Sequence, residues 1–536
     1  MVTAENGPHR TLATIVALFA VLLWAYSGYT VLTSSPEQRV QFVPDDAYYY
    51  LTLARNFVHQ NQWSFDSGVS LTTGFHPAHA YALATVYSLT HASEEEFVSY
   101  NIVLSMIVLL PAILLAVSFA IYTGRIQLSL WLLLFVLSRN FSLNTVSGTE
   151  WSWVVTFSAF YCLAFWLLSR AHTQGALIML LSTGFLGSLA RTDFGLLPAA
   201  LALASVIAFR TSTDRSRMRA AFAGLTASFL GVFVCFCHNY LATGHYLQSS
   251  ARMKSLWLAT YGPSVRPIME KILTLFGERS PLTLFLVIIL VLNTVICGFR
   301  RFRARFFSES TVNESATNSD ATSIGAALWY GSLFTIIGYI VFYSLNPAGI
   351  QHWYTACLVV PVFLLVNLPF LNGASTDRIR VATLLVLLVL VARQGTAART
   401  FLTNPEWPHQ VSMFRAGHYL NHRCFDGRVG SWNAGIIGYY EGGRVINLDG
   451  LVNNDIYPFA KNNQLEEYLD KVRIRYVVDF VNMFSSDKRR RRGGYDSPKF
   501  LRRLVPLKSF DNRSEGWREL TLCKVRHEDS TPPDNS

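Results

Sequence analysis

Long apolar runs recur along most of this chain, and they constrain its fold more than any other feature. Each run is long enough, or nearly long enough, to cross the ~30 Å hydrocarbon layer of a bilayer as a helix. The pattern predicts a mainly α, polytopic membrane protein of about 11 transmembrane helices. The predicted spans are 11–33, 98–121, 126–143, 150–169, 176–190, 194–209, 219–241, 281–299, 324–345, 352–371 and 379–396.

The composition agrees with a membrane protein. The chain is 51% hydrophobic and only 15% charged, whereas soluble domains carry about 25% charged residues. The first run, 11–32, lacks a small-residue cleavage site, which indicates a retained span. The net charge of +11 comes mainly from loop arginines, so no nucleic-acid partner is expected. Because no GxGxxG, Walker-type or zinc-ligand spacing occurs, nothing favours a nucleotide-sugar substrate.

Arginine positions predict the orientation of the chain. With the N-terminus in the cytoplasm, every predicted cytoplasmic connection carries arginine, as the positive-inside rule expects. The clusters "RTSTDRSRMR" and "RRFRARF" would lie outside if 76–90 were counted as a span. That segment is therefore predicted to be a helix in the interface plane. The predicted location is the plasma membrane, with multiple passes.

The same orientation places the polar connections on one outer face. They are predicted to converge there, as expected of a site, and they comprise 34–97, 144–149, 242–280 and 346–351. Residues 1–396 form the predicted transmembrane domain, with the first outer loop at 34–97. Residues 397–536 form a predicted extracytoplasmic α/β domain with a disordered tail, since "LEEYLDKVRIRYVVDF" has the pattern of a helix followed by a strand.

Two adjacent acids follow the first span, in "VPDDAYYYLTLARNF" (43–57). Asp45 and Asp46 suit the first turn of a helix, because exposed N–H groups and the macrodipole favour negative charge there. Helix capping explains one acid well. It explains neither the second acid nor the long "FDSGVSLTTGFHP" segment that follows.

The first outer loop, "DDAYYYLTLARNFVHQNQWSFDSGVSLTTGFHPAHAYALATVY", resembles that of the GT-C superfamily of membrane glycosyltransferases. This group includes protein O-mannosyltransferases and aminoarabinose transferases. "SGTEWSW", "LARTDFGLLP" and "NLDGLVN" resemble segments of one uncharacterised bacterial branch. The resemblance implies juxtamembrane helices in the first outer loop. It also implies sugar transfer from a polyprenyl-phosphate donor to a cell-envelope glycan, lipid or protein acceptor.

The resemblance also implies roles for the acidic pair. Asp45 takes the position of the general base, and Asp46 would orient the acceptor, assist a metal or raise the pKa of its neighbour. A single displacement would invert the anomeric centre. No cofactor is obligatory in this mechanism, and a divalent cation such as Mg²⁺ or Mn²⁺ would bind at Asp45 and Asp46 if one takes part.

Donor phosphate requires cations, and three are candidates: Arg252, Lys254 and Arg191. Arg252 and Lys254 could equally anchor to lipid headgroups, and Arg191 could pair with Asp193 to join two helices. Candidate substrate contacts are Tyr49, His76, Glu150, Asp193, His352 and Tyr354. Glu150 suits a helix start equally well, and Tyr354 an aromatic belt. Trp432, Asn433 and Asp449 could contact an acceptor or simply form turns.

Two other classes of protein fit the spans. A lipid or glycan transporter would show repeat symmetry and broken helices, neither of which is evident in the sequence. An O-antigen-type ligase or polymerase would place arginines in a late loop, whereas here the acids come first. The glycosyltransferase interpretation is therefore preferred.

Overall fold

The structure is a computed structural model that describes residues 7–171, 173–209, 215–276, 280–292, 296, 316–347, 349–371, 377–423, 425–484, 493–511 and 516–526. The predicted disordered tail lies outside these residues from 527 onward. Helices account for most of the chain up to Thr403, and a five-stranded sheet follows.

The helices of the first part follow the predicted apolar runs. They are α1 (Gly7–Leu32), α2 (Pro36–Arg39), α3 (Asp45–Gln60), α4 (Pro77–Thr90), α5 (Glu94–Thr123), α6 (Ile126–Leu137), α7 (Arg139–Val146), α8 (Trp151–Ala171), α9 (Gln174–Ala190), α10 (Leu196–Ala208), α11 (Ser216–Thr243), α12 (Ser249–Tyr261), α13 (Arg266–Leu273), α14 (Pro281–Leu292), α15 (Ala316–Leu345), α16 (Ala356–Leu371) and α17 (Asp377–Thr403). Short 3₁₀ turns at Thr192–Gly195 and His352–Thr355 precede α10 and α16.

Each predicted span overlaps at least one apolar helix of the described residues, although 126–143 falls on two helices and 281–299 is described only to 292 and at 296. The chain is a multi-pass membrane protein. Among the described residues, five helices are long and apolar enough to cross a bilayer alone: α1, α5, α8, α11 and α15. The pair α6 and α7 adds a sixth if it counts as one span, although it is bent by 64°. The total of about 11 spans and the orientation remain predictions.

The bend between α6 and α7 has a local cause. Ser138 has extended backbone angles, φ −68° and ψ 134°, which end α6. Its hydroxyl then accepts the N–H of Phe141 at 3.2 Å and caps the new helix. A single serine therefore ends α6 and caps α7, and the axes of the two helices point in different directions.

Helices α3 and α4 lie within 34–97, the segment for which juxtamembrane helices were predicted. Pro44 is extended and precedes α3, whose first turn carries Asp45 and Asp46; the helix ends where Asn61 adopts the left-handed conformation at φ 54°. The predicted interfacial helix at 76–90 is α4, which begins at Pro77, a residue preorganised for a first turn.

The C-terminal part is an α/β domain, as predicted. Its strands are β1 (Arg428–Ser431), β2 (Val445–Asn447), β3 (Ile474–Phe480), β4 (Leu504–Phe510) and β5 (Leu520–Val525), in the order β2-β1-β3-β5-β4. Strand β1 is parallel to β2 and β3, and β5 is antiparallel to β3 and β4. The helices are α18 (Gln410–His422), α19 (Gly435–Glu441), α20 (Tyr457–Asn462), α21 (Leu465–Lys471) and α22 (Pro498–Arg502). Helix α17 continues to Thr403, beyond the domain boundary predicted at 396.

An aromatic contact joins α3 to this domain. The fully buried ring of Tyr48 lies 5.5 Å from Tyr439 and 5.9 Å from Tyr440, both on α19. The contact with Tyr439 is edge-to-face and the one with Tyr440 is tilted; aromatic pairs add about 0.5–1.5 kcal/mol beyond the burial of area. The α/β domain is therefore packed directly on the helix that carries the acidic pair.

Candidate active site

Two adjoining cavities lie between α3, α12 and the α/β domain. The large cavity has a volume of about 1420 Å³, and its lining includes Asp45, Asp46, Tyr49, Lys254 and Asp449. The small cavity, of about 60 Å³, shares Asp46, Tyr49 and Lys254 and adds His76, Glu150 and Tyr354. Segments predicted to share the outer face thus meet at one place.

Asp45 is held by the α/β domain. Its Oδ1 accepts the N–H of Ile436 at 2.6 Å, and its Oδ2 accepts that of Gly435 at 3.2 Å. The carboxylate therefore caps α19 as well as beginning α3, and one lone pair on each oxygen remains. Burial raises the pKa of Asp45 to about 7, against the opposing effect of these two amides.

Asp46 has a different environment. Among the described residues its carboxylate makes no hydrogen bond or ion pair, and it lines both cavities. Burial raises its pKa to about 6, while the Lys254 ammonium opposes that shift and Glu150 adds to it. Asp46 is thus the acid of the pair that is electrostatically coupled to Lys254.

A third acid, Asp449, comes from the loop after β2. Burial raises its pKa to about 8, although it accepts the Leu451 N–H at 2.7 Å. The hydroxyl of Tyr49 lies 3.4 Å from Oδ2 of Asp449 and receives a hydrogen bond from Asn447 at 3.2 Å. Three carboxyl groups with raised pKa values therefore face one cavity, as perturbed groups at functional sites often do.

Lys254 and Arg252 have separate environments. The Lys254 ammonium contacts the Tyr354 hydroxyl and faces both cavities. The Arg252 guanidinium lies over the ring of Tyr457, 4.2 Å from its centroid, and lines neither cavity. Residues two apart on a helix point about 200° away from each other, so of the two predicted cations α12 presents only Lys254 to the cavities.

Arg191 is held by buried hydrogen-bond and ion-pair partners next to the small cavity. It donates to Glu150 at 2.7 Å, to both oxygens of Asp193 at 2.9 and 2.8 Å, and to Tyr343 at 3.0 Å. Only 4% of Arg191 is exposed. Since two carboxylates neutralise it and it lines neither cavity, it is not placed to bind donor phosphate. The alternative interpretation, an Arg191–Asp193 pair joining helices, matches this geometry.

Glu150 and His76 border the small cavity. Glu150 also accepts the Tyr50 hydroxyl at 3.3 Å, and His76 Nε2 lies 3.8 Å from it. Burial lowers the pKa of His76, so its imidazole favours the neutral form. Glu150 thus directly precedes α8 and is also the ion-pair partner of Arg191.

His352 contacts Glu406, a residue of the large cavity that the sequence analysis did not predict. It contacts Glu406 at 3.1 Å, and Arg139 donates to the other oxygen of Glu406 at 2.9 Å. Glu406 and Arg139 line the large cavity, whereas His352 lines neither. Although burial opposes ionisation, His352 and Arg139 lower the pKa of Glu406 to about 2. The available signal was an acid between two prolines, "NPEWP", just after the last span.

The acidic pair does not form an evident metal site. Among the described residues, no group of three or more His, Cys, Asp or Glu side chains is arranged to hold a metal ion. Both oxygens of Asp45 accept backbone N–H groups, and consecutive residues on a helix point about 100° apart. A role for a divalent cation at Asp45 and Asp46 remains a prediction.

The Asp45–α19 contact can be tested with Gly435. A Cβ there would lie 2.1 Å from the Asp45 carbonyl oxygen and 2.7 Å from its Oδ1. Gly435→Ala is expected to destabilise the protein by about 1–3 kcal/mol, because neither atom can move without breaking the cap. Gly175→Ala is the control, since nothing lies within 4 Å of its Cβ. Equal thermal midpoints for the two variants would contradict this close contact.

The helical bundle with its C-terminal α/β domain is similar in fold to solved structures of the GT-C class. The similar structures include ArnT from Cupriavidus metallidurans, which supports the predicted mainly helical fold with a small C-terminal sheet. Its structure bound to undecaprenyl phosphate has a TM-score of 0.54 and 11% identity, over 97% of this chain and 98% of that chain. Its apo structure also gives 0.54 and 11%, over 95% and 97%. At this identity the similarity concerns the fold.

Two further comparisons describe the chain. The archaeal oligosaccharyltransferase AglB from Archaeoglobus fulgidus, in complex with an inhibitory peptide and a dolichol-phosphate, gives a TM-score of 0.48 and 13% identity, over 98% of this chain and 75% of that chain. A family model described as a domain of unknown function (DUF8728) matches residues 405–527, most of the α/β domain. Among curated proteins, none matches this chain.

Proposed function

We propose that this protein is an inverting glycosyltransferase that moves a sugar from a polyprenyl-phosphate donor to a cell-envelope acceptor. One observation carries the proposal: the ammonium group of Lys254 and the carboxyl groups of three acids line one cavity that the α/β domain helps to form. The fold supports it, since the similar ArnT structure contains undecaprenyl phosphate. The reaction takes place on the outer face of the plasma membrane, with the N-terminus of the chain in the cytoplasm.

Lys254 and Tyr354 bind the leaving phosphate in this mechanism. The bond between the anomeric carbon and the phosphate oxygen breaks, and its electron pair stays on the phosphate. Positive charge near that oxygen lowers the barrier. Phosphate is a weak base, so no strong general acid is needed. Arg191, with its charge already neutralised, positions Glu150 and the ring of Tyr354, which lies 4.5 Å from the guanidinium carbon.

Asp45 is the general base. It accepts the proton of the acceptor hydroxyl as the oxygen attacks the anomeric carbon, and a pKa of about 7 suits that task near neutral pH. Inversion requires base and leaving group on opposite sides of the carbon. Lys254 is among the main influences on the pKa of Asp46 but not on that of Asp45, which supports placing Asp45 on the acceptor side. Asp46 and Tyr49 orient the sugar between them.

The test uses the full chain in nanodiscs and labelled undecaprenyl-phosphate sugars carrying glucose, mannose, galactose or arabinofuranose. We expect at least one donor to release undecaprenyl phosphate. Lys254→Ala is expected to weaken undecaprenyl phosphate binding about 10–100-fold, because charged hydrogen bonds contribute about 1.5–3 kcal/mol.

The matched control is Lys499→Ala, since the Lys499 side chain is 61% exposed at the surface of the α/β domain. Equal binding by the two lysine variants would reject the phosphate site. A transporter or lipid flippase would move these donors across the bilayer without cleaving them. An O-antigen-type ligase would require a polyprenyl diphosphate donor and leave the monophosphates intact.

A further inference from the structure

Tryptophan is concentrated around the large cavity. Five of the 12 tryptophans in the chain line it. Trp353 is buried, and the other four keep part of the indole accessible. Such side chains combine a broad apolar face with an N–H donor. They are Trp257, Trp353, Trp407, Trp432 and Trp517.

Two of these residues form a pair across the domain boundary. Trp257 on α12 and Trp432 after β1 have ring centroids 6.1 Å apart and planes inclined by 25°. Trp432 is held by the α/β domain: its backbone N–H donates to Asp479 at 2.7 Å, and its ring centroid lies 5.4 Å from that of Tyr495. The membrane part and the α/β domain thus build one rigid aromatic surface together.

Polar side chains make up most of the remaining lining. Five side-chain amides can donate and accept hydrogen bonds at once, whereas aliphatic side chains are few. The volume of about 1420 Å³ exceeds the 300–1,000 Å³ usual for small-ligand sites. The amides belong to Gln41, Gln351, Asn404, Gln410 and Asn433.

Acids outnumber bases in the lining. Five acids face three bases, and two of the bases are paired with carboxylates. Arg139 pairs with Glu406 at 2.9 Å and Arg415 with Glu37, while Lys254 contacts the Tyr354 hydroxyl. An anionic polymer would meet more acids than bases here, although the chain as a whole carries +11. The acids are Asp45, Asp46, Glu406, Asp449 and Asp511.

We infer that the large cavity binds a neutral saccharide chain as the acceptor, with sugar rings stacked on the surface formed by Trp257 and Trp432. Pyranose and furanose rings present C–H groups to aromatic faces and hydroxyls to amides and carboxylates. Acyl chains would require an aliphatic lining, and acidic glycans a basic one. This inference rests on the proposed function, because it identifies the acceptor of that reaction, and it narrows the acceptor class from glycan, lipid or protein to glycan.

The experiment measures binding of unlabelled oligosaccharides to the full chain in nanodiscs, so that no sugar-based detergent competes. The probes are the neutral hexamers mannohexaose, cellohexaose, laminarihexaose and arabinohexaose. Hexagalacturonate serves as an anionic oligosaccharide of the same length. We expect at least one neutral hexamer to bind at least tenfold more tightly than hexagalacturonate. Trp257→Ala and Trp432→Ala are each expected to weaken that binding about tenfold. Trp257→Phe and Trp432→Phe, which retain an aromatic face, should stay within about threefold.

Undecaprenyl phosphate binding separates this inference from the proposed function. The alanine variants are expected to bind it as the native chain does, since Lys254 is intact. No binding of any neutral hexamer, or tighter binding of hexagalacturonate, would overturn the saccharide assignment while leaving the donor site intact. Equal losses of hexamer binding and undecaprenyl phosphate binding in the alanine variants would also overturn the saccharide assignment. Conversely, loss of the Lys254 effect alone would reject the donor site and leave the saccharide surface intact.

Discussion

Asp45→Asn is expected to lower the rate of sugar transfer by about 10²–10⁴-fold, the usual contribution of a positioned general base. The amide cannot accept the proton of the acceptor hydroxyl. The initial rate of undecaprenyl phosphate release from a labelled donor measures the effect. Transfer at the native rate by this variant would remove Asp45 from the chemistry.

The substitution also disturbs a structural contact, so a control is required. Asparagine retains one oxygen for the N–H of Ile436 but turns an NH₂ group toward the N–H of Gly435. Gly435→Ala disturbs the same cap while retaining the carboxylate. If the two variants lose similar thermal stability but only Asp45→Asn loses most of its rate, the carboxylate acts chemically. Equal loss of rate in both would indicate a positioning role.

The pH profile gives an independent readout of the base. Asp45 must be ionised to accept a proton, so with a pKa of about 7 the rate rises with pH and levels off above neutrality. Below that pKa the rate falls about tenfold per pH unit. The charge of Asp46 raises the pKa of Asp45, so Asp46→Asn should move this limb to lower pH. An unchanged limb in Asp46→Asn would contradict the coupling.

Arg191→Met is expected to cause the largest loss of stability, about 3–5 kcal/mol. Methionine retains the unbranched stem of the side chain but leaves Glu150 and Asp193 as buried charges without their cation. Arg266→Met is the control, because Arg266 is 86% exposed and its pair with Glu270 at 2.8 Å spans one helical turn. Such a surface pair contributes only about 0.3–0.5 kcal/mol.

Thermal midpoints in detergent and denaturant unfolding in mixed micelles both report this difference. The double variant Arg191→Met, Glu150→Gln is expected to recover part of the loss, because one of the stranded charges is removed. Similar unfolding midpoints for Arg191→Met and Arg266→Met would show that the buried network contributes little to stability.

Much of the secondary structure of this protein follows from local patterns in the sequence. Long apolar runs predict helices because a helix pairs its backbone N–H and C=O groups within one segment, as a bilayer requires. The acidic pair predicts the start of α3, and the pattern in 465–480 predicts α21 followed by β3. The resemblance in the first loop anticipated the GT-C fold.

Tertiary structure alone decided which side chains reach the cavities. Arg252 and Lys254 are equivalent in sequence, yet the direction of each on α12 sends one to Tyr457 and the other to the cavities. Arg191 has the composition of a phosphate ligand, but Glu150, distant in the chain, already neutralises it. Glu406 and the tryptophans of the large cavity come from segments far apart in sequence. Their meeting depends on how the α/β domain docks on α3, a packing outcome that no local pattern encodes.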